Sequence, residues 1–222
     1  IRDAQESRGL GDVYKRQTLL VKGSALARNP GDFVPYDTET AASLIADLKE
    51  IVPPYVRIQR IQRDIPKPQI IAGVMNSNLR QYARRELKAR GKKCNCINCR
   101  ELWRAQIDPS TAELKEIKYR SSGGDEYFLS FESGTKLLGY LRLRLDENAT
   151  VRELKVTGQA ANIGKTGTGV QHMGLGSKLM KIAEEKAAAF PKIRVTHGPG
   201  TRLYYEKLGY ELQDYYMVKD LP

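Results

Sequence analysis

The sequence predicts an α+β protein built from two unlike parts. From residue 114 onward, short strand patterns follow one another and are then interrupted by a helix, a strand and a short helix before a final strand. The earlier half carries a strand–helix–strand pattern of the α/β type, followed by a basic segment with three cysteines. With 222 residues and 41% hydrophobic composition, the chain is long enough for one large or two small packed domains.

Four stretches define the first part. Residues 1–17 show no clear period, and we expect this leader to lie outside the fold. Residues 18–22 predict a strand, and Asp37 then precedes a run with apolar residues at helical spacing that Pro53 ends. Residues 55–61 alternate apolar side chains with arginines and predict a second strand. We therefore interpret residues 18–66 as the end of a larger α/β domain, because one βαβ unit cannot complete a sheet.

Residues 67–113 predict a basic linker. It begins with Pro66-Lys67-Pro68 and contains a basic helix over 79–90 that Gly91 closes. Between residues 55 and 105 there are thirteen Lys and Arg against three acidic residues, so most of the chain's net charge of +11 lies there. Such a field attracts polyanions and favours salt-dependent contacts with phosphates, although a solvated basic face is the alternative.

The linker also carries the pattern Cys94-x-Cys96-x-x-Cys99. Three thiolates within six residues suit a borderline-soft metal such as zinc, while an iron–sulfur cluster or chance clustering are the alternatives. A fourth ligand is not evident, because the sequence has only His172 and His197. This cysteine usage, without a secretory signal or a run of 18 apolar residues, favours a reducing cytoplasmic setting and no membrane span.

Residues 114–222 predict the second part. A Ser-Ser-Gly-Gly turn at 121–124 joins two strands into a hairpin. The remaining predicted elements are strands over 136–145 and 149–156, a helix ending near Phe190, a strand over 193–196, a short helix over 201–208 and one last strand over 210–219.

A glycine-rich turn opens the central helix of this part and predicts a phosphate site. It reads Gln171-x-x-Gly174-x-Gly176, and backbone N–H groups at such a turn can hold the pyrophosphate of an acyl-CoA. The preceding strand could hold the pantetheine amides, and Tyr204 or Tyr205 could protonate the leaving thiolate. An ordinary glycine turn and core tyrosines are the alternatives.

These motifs resemble known families. The C-terminal half resembles GNAT-type N-acetyltransferases, through Q-x-x-G-x-G at 171–176 and Y-Y-x-K-L-G-Y at 204–210. The whole span from Thr18 resembles the C-terminal half of the radical-SAM/GNAT acetyltransferases of tRNA, the family of the Elongator catalytic subunit. The stretches that carry this resemblance are 52–66, 77–80, the cysteine cluster, 128–132, 151–154, 171–172 and 215–219.

The resemblance implies acetyl-CoA as donor, the wobble uridine (U34) of tRNA as acceptor, zinc in the linker, and self-association or Elongator-like subunits as partners. The tyrosine pair Tyr204 and Tyr205 would be catalytic. The donor site would comprise Leu154, Lys155, Val156, Thr157, Gln171, His172, Gly174, Leu175, Gly176 and Ser177. The tRNA-binding residues would be Arg57, Arg60, Arg63, Lys67, Arg80, Arg84, Arg85, Lys88, Lys92 and Lys93.

The sequence departs from the family at two points. Where the family motif reads E-L-H-V-Y-G, this chain has Lys155 in place of the His and Thr157 in place of the Tyr. Both changes bear on how the thioester is positioned. The family's upstream radical-SAM cysteine triad is also missing, because all three cysteines lie in the linker. We therefore expect this chain to be a fragment that binds neither the iron–sulfur cluster nor S-adenosylmethionine. Such a fragment would not carboxymethylate uridine by itself.

Two other functions fit parts of the pattern. A GNAT enzyme that acetylates protein lysines is one, but the basic segment would repel cationic substrates. A non-catalytic, zinc-dependent RNA-binding scaffold with a degenerate acetyltransferase fold is the other. Thermal stabilisation by acetyl-CoA would separate this scaffold from both enzymes.

Overall fold

A computed structural model describes residues 20–31, 33–62, 65–102, 107–157 and 174–222. The chain forms two compact units, Ile1–Cys99 and Arg100–Pro222. The boundary falls within the predicted linker 67–113. None of the helices in the described part of the chain combines the length and apolar character that a bilayer-spanning segment needs.

The first unit is mainly helical. Its elements are β1 (Leu20–Val21), α1 (Ala25–Arg28), α2 (Thr38–Ile51), a 3₁₀ turn (Lys67–Gln69), β2 (Ile70–Ala72), α3 (Leu79–Ala89) and the start of α4 (Ile97–Arg100). Helix α2 begins as predicted, since the Asp37 side chain accepts a hydrogen bond of 2.7 Å from the Thr40 amide. The predicted βαβ unit is wrong, because residues 55–61 form no strand and β1 pairs instead with β2 in antiparallel fashion.

Residues 55–61 bury three apolar side chains but do not form the predicted strand. The side chains of Val56, Ile58 and Ile61 pack in a core with residues of α2 and α3. Their carbonyls bond outside any ladder: that of Val56 accepts from the Ile97 amide at 2.9 Å, and that of Ile58 accepts from Asn98 at 3.0 Å. The apolar alternation therefore reflects burial of an extended segment, and the backbone groups are satisfied individually.

The second unit is a seven-stranded sheet with a long helix on one face. The strands are β3 (Glu113–Ser121), β4 (Gly124–Ser133), β5 (Lys136–Leu145), β6 (Ala149–Val156), β7 (Lys192–Thr196), β8 (Glu211–Gln213) and β9 (Tyr216–Asp220), and the helices are α5 (Leu175–Lys186) and α6 (Arg202–Glu206). The strand order is β3-β4-β5-β6-β7-β9-β8, with β6 and β7 parallel and the other described pairs antiparallel. Short 3₁₀ turns cover Pro109–Thr111 and Pro199–Thr201.

Local signals predicted most of these strands. The hairpin of β3 and β4 is confirmed with wider bounds, and β5 and β6 have the predicted bounds. The single last strand over 210–219 is wrong, because Asp214 adopts a left-handed φ of 53° and turns the chain into the β8–β9 hairpin. The core lies between the sheet and α5 and includes Leu141, Val151 and Leu179.

Buried charges lie between β4, β5 and β6. Glu126 is 1% exposed, and its Oε1 accepts from Arg144 at 3.1 Å and from Arg152 at 2.6 Å. Arg144 also donates to the carbonyls of Ser121 and Ser122 in the β3–β4 turn. Since a carboxylate this buried requires paired partners, Arg144 joins the strand interior to the turn.

We expect Arg144→Met to lower the free energy of unfolding by about 3 kcal/mol, because it leaves a buried carboxylate with one partner fewer. The double variant with Glu126→Met should lose less than the sum of the two single changes. Urea unfolding of all four proteins measures this coupling. Strictly additive losses would contradict the assigned pair.

Candidate functional sites

The parallel strands β6 and β7 pair over only three residues. Ala149, Thr150 and Val151 lie opposite Ile193, Arg194 and Val195, and β6 then continues to Val156 without a described partner on that side. Its other edge stays bonded to β5 as far as Val156. Among the described residues, 153–156 therefore form an open edge of β6, whose backbone N–H and C=O groups can bind an extended amide-containing ligand.

Helix α5 begins beside this open edge. Gly174 precedes the helix with a left-handed φ of 67°. Because glycine has no side chain, it does not cap the N–H groups of the first turn. A Cβ at Gly176 would lie 3.7 Å from the Val156 side chain, which places the end of β6 against the helix start. The predicted residues Gln171 and His172 lie outside the described residues.

Tyr204 lies at the same helix start. A Cβ at Gly176 would approach the Tyr204 hydroxyl to 2.7 Å, so only a glycine leaves room for this hydroxyl. Burial raises the pKa of Tyr204, while a hydrogen bond with the Ser177 side chain acts in the opposite direction. Tyr204 is still 36% exposed, so its phenol is both protonated at neutral pH and accessible.

The neighbouring Tyr205 lies in the core instead. It is 5% exposed, and its ring makes edge contacts with Tyr204 and Tyr210 at centroid distances of 5.1 and 6.1 Å. Burial raises the pKa of Tyr205 to about 12. Of the two tyrosines predicted to be catalytic, Tyr205 therefore packs in the core, and Tyr204 places its hydroxyl beside Gly176 at the start of α5.

The four predicted donor-strand residues differ in their side-chain roles. Leu154 packs against the core, and Val156 packs beside Leu138 and Leu175. Lys155 donates to Glu101 at 2.9 Å, whereas the Thr157 hydroxyl donates to the carbonyls of Leu137 and Leu138. The two residues that depart from the family motif are thus held by specific contacts, and a ligand can meet this strand through its backbone.

The three cysteines converge as the spacing predicted. The sulfurs of Cys94, Cys96 and Cys99 lie within 4.8 Å of one another, with Cys96 fully buried. Hydrogen bonds from Cys94 and Cys99, together with the positive charge of Lys49, lower the pKa of Cys96. The hydrogen bond from Cys94 to Cys96 raises the pKa of Cys94. A compact thiol group of this kind has the donor set for a zinc-type ion.

Sequence reasoning missed Lys49, which belongs to this group. It is 0% exposed on α2, and its Nζ lies 3.7 Å from the Cys99 sulfur. A lysine in an amphipathic helix is normally read as solvent-exposed. The available signal was its position in the buried stripe of α2, eight residues after Ala41 and four after Ile45.

The predicted basic residues divide into structural and exposed ones. Arg80, one of the predicted phosphate contacts, donates to the carbonyls of Ile58 and Gln59 and so holds this segment to α3. Arg84, Arg85 and Lys88 share the exposed side of α3, and we call this surface the α3 basic face. Arg85 lies 5.2 Å above the Tyr82 ring, an arrangement that also suits base stacking.

The other basic candidates surround that surface or lie elsewhere in the first unit. Lys92 and Lys93 are exposed directly after α3, although Lys92 pairs with Glu50 at 2.6 Å. Lys67 and Arg60 are exposed, and Arg57 is half-buried. Arg63 lies outside the described residues.

Comparison with known proteins gives both sequence and structural relatives. Residues 16–89 match the family described as the Radical_SAM C-terminal domain. The chain is 40% identical over 227 residues to the tRNA uridine(34) acetyltransferase of Dehalococcoides mccartyi (strain CBDB1), covering 92% of this chain and 49% of that protein. It is 37% identical over 227 residues to Elongator complex protein 3 of Homo sapiens, covering 92% and 42%.

A solved structure extends the comparison. The archaeal Methanocaldococcus infernus Elp3 with an N-terminus deletion superposes with a TM-score of 0.83 at 34% identity, covering 98% of this chain and 60% of that one. The chain spans about half the length of the curated relatives it matches.

We expect Gly176→Ala to act differently depending on Tyr204. In the wild type, the new Cβ forces the hydroxyl away and costs about 1 kcal/mol or more. In a Tyr204→Phe background the clash is absent, and the alanine should be neutral or stabilising by up to about 1 kcal/mol through helix propensity. Chemical unfolding measures both; an equal effect in the two backgrounds would remove Tyr204 from this position.

Proposed function

Because this chain belongs to the family of the tRNA uridine(34) acetyltransferases and Elongator complex protein 3, we propose that it binds acetyl-CoA and tRNA during wobble-uridine modification. The proposed acetyl-CoA site lies in the second unit, on a GNAT-type fold, and the proposed tRNA contact lies on the first. One observation carries the proposal: the open edge of β6, the start of α5 and the Tyr204 hydroxyl meet in one place. Elongator-like subunits are further candidate partners.

The open edge suits the pantetheine arm of acetyl-CoA. Pantetheine carries two amides, and within the described part of the chain the backbone groups of residues 153–156 have no strand partner on the side away from β5. The arm would add to the sheet as a short strand does, so its binding would depend little on side-chain identity. This explains how Lys155 and Thr157 can replace other residues without removing the site.

The start of α5 suits the pyrophosphate. The first-turn N–H groups and the positive end of the helix dipole favour an anion there, and the left-handed Gly174 lets the backbone turn toward it. Ser177, on the same turn, adds a hydroxyl. The proposed site thus orders the ligand along β6 toward the helix.

Tyr204 is the proposed proton donor. Its raised pKa keeps the phenol protonated near neutral pH, and its hydroxyl lies at the start of α5 beside the end of β6. A thioester carbonyl held by the β6 edge would place the sulfur near this hydroxyl. In hydrolysis, water would add to the thioester carbon and the acetyl group would leave as acetate, while the departing thiolate takes the Oη proton of Tyr204 and the proton lost by the water restores the phenol.

The α3 basic face is the proposed tRNA contact. Within the described residues, Arg84 and Lys88 have no described ion pair, so their charge is available to phosphates. Arg85 and Tyr82 add a planar surface beside them. Contacts of this type give affinity that falls with salt and carries no base specificity.

Zinc is the proposed ion of the cysteine group. Cys94, Cys96 and Cys99 fit it by donor chemistry and by their close, buried sulfurs. When bound, the ion would cross-link residues 94–99 and so stabilise the segment that follows α3.

Hydrolysis of acetyl-CoA by the purified chain, with and without tRNA, tests the whole proposal. We expect hydrolysis that tRNA stimulates and that Tyr204→Phe lowers by about 10²-fold or more. Acetylation of lysine peptides in place of tRNA-stimulated hydrolysis would favour a protein acetyltransferase. Absence of acetyl-CoA binding by calorimetry would contradict the enzyme proposal and leave the RNA-binding scaffold.

Two variants of Gly174 test the pyrophosphate site. Gly174→Glu places a negative charge at the helix start and should abolish acetyl-CoA binding in calorimetry. Gly174→Asn is the matched control, because asparagine tolerates the left-handed backbone and carries no charge. Equal affinities for the glutamate and asparagine variants would place the pyrophosphate elsewhere.

Salt titration tests the tRNA contact. The double variant Arg84→Gln/Arg85→Gln should reduce the slope of log affinity against log salt by about 1.4–1.8, or 0.7–0.9 for each lost phosphate contact. The control Lys192→Gln/Lys207→Gln removes the same charge from exposed positions in the second unit and should leave the slope unchanged. Identical slopes in both double variants would exclude the α3 basic face.

A further inference from the structure

Lys49 is the one lysine that the described residues bury completely. Lysines are almost never fully buried unless they are paired, because removing an ammonium group from water is costly. Within the described part of the chain, its one described hydrogen-bond partner is the Cys99 sulfur, at 3.7 Å from Nζ. The carboxylates of α2 do not compensate it, since Asp47 pairs with Arg90 and Glu50 with Lys92.

Within the described residues, the cysteine group has three members. Zinc in structural sites is almost always held by four ligands in a tetrahedron. Among the described residues, no imidazole or carboxylate joins the three sulfurs. The Nζ of Lys49 lies against this group, 3.7 Å from the Cys99 sulfur.

The distance also agrees with direct coordination. Zinc–sulfur bonds of about 2.3 Å and zinc–nitrogen bonds of about 2.0–2.1 Å, set at the tetrahedral angle, separate nitrogen and sulfur by about 3.6 Å. The observed separation between Lys49 Nζ and Cys99 Sγ is 3.7 Å. The same side chain is thus at coordination distance and shielded from water.

We propose that Lys49 is the fourth ligand of the metal bound by Cys94, Cys96 and Cys99, and that it binds as a neutral amine. On binding, the ammonium releases one proton to solvent and its nitrogen lone pair forms the bond to the metal, as each thiol releases a proton to become a thiolate. A neutral ligand removes the cost of a buried ammonium group. This inference rests on the proposed metal site and adds its missing ligand.

The position of Lys49 gives the metal a specific structural role. The three cysteines lie within six residues of one another, so alone they would bind an ion that joins nothing else. Lys49 lies on α2, 45 residues before Cys94 in the sequence. With Lys49 as ligand, the ion ties residues 94–99 to α2 and closes a long loop, which is the arrangement in which a cross-link stabilises most.

Substitution at Lys49 separates a ligand from a charge partner. Lys49→Arg keeps the positive charge but cannot coordinate zinc, whereas Lys49→Met removes both and keeps the apolar stem. Lys49→His offers a different nitrogen ligand. Lys88→Met, on the exposed side of α3, is the control for loss of one positive charge.

The readouts are zinc affinity by competition with a chromogenic chelator and the visible spectrum of the Co²⁺-loaded protein, with circular dichroism to confirm folding. We expect the Arg and Met variants to lose zinc affinity on the order of 10–100-fold and to change the cobalt ligand-field bands. The His variant should recover part of the affinity, and the Lys88 control should match the wild type.

The outcomes separate this inference from the metal proposal. Wild-type affinity and spectrum in the Arg variant would show that Lys49 is a charge partner, and an unchanged cobalt spectrum in the Met variant would show that it is no ligand. Either result overturns the inference while the three-cysteine site stands. A wild-type protein that binds neither ion would overturn both.

Discussion

The short parallel pairing of β6 with β7 is the constraint on which the second unit depends. Three residue pairs, ending at Val151 and Val195, join the two halves of the sheet, while β5 holds β6 along its full length. Gly139 permits this close pairing, because a Cβ there would lie 3.3 Å from the Lys155 carbonyl. Within the described residues, β6 is therefore paired on one edge and open on the other beyond Val151, and α5 begins near the end of this open edge.

Sequence signals predicted the elements whose cause is local. Asp37 caps α2 through an amide three residues away, and the β3–β4 turn lies where two residues of left-handed backbone, Ser122 and Gly123, follow a strand. Residues 55–61 could not be predicted in this way. Their period-2 pattern is that of a strand, but the groups that satisfy their carbonyls come from α3 and α4, and no local pattern contains that information.

The candidate sites show the same division at the level of single side chains. Tyr204 and Tyr205 are adjacent and identical in type, yet successive residues of a helix point about 100° apart. One hydroxyl therefore reaches the start of α5, and the other ring enters the core. The cysteine cluster was predictable because its three members lie close together in the sequence. Lys49 was not, because it belongs to a helix 50 residues before Cys99.

Charge counted along the chain and charge displayed on its surface are different quantities. Of the basic residues concentrated between positions 55 and 105, Arg80 and Arg90 hold the first unit together through carbonyl and carboxylate partners. Arg100 likewise forms a buried pair with Glu132. Carboxylates neutralise the charges of Arg90 and Arg100, and the guanidinium of Arg80 is held by backbone carbonyls, so these three arginines contribute little to counterion release when a polyanion binds. The salt dependence of RNA binding should therefore report the exposed residues of α3 and its flank, and a slope calculated from the net charge would be too steep.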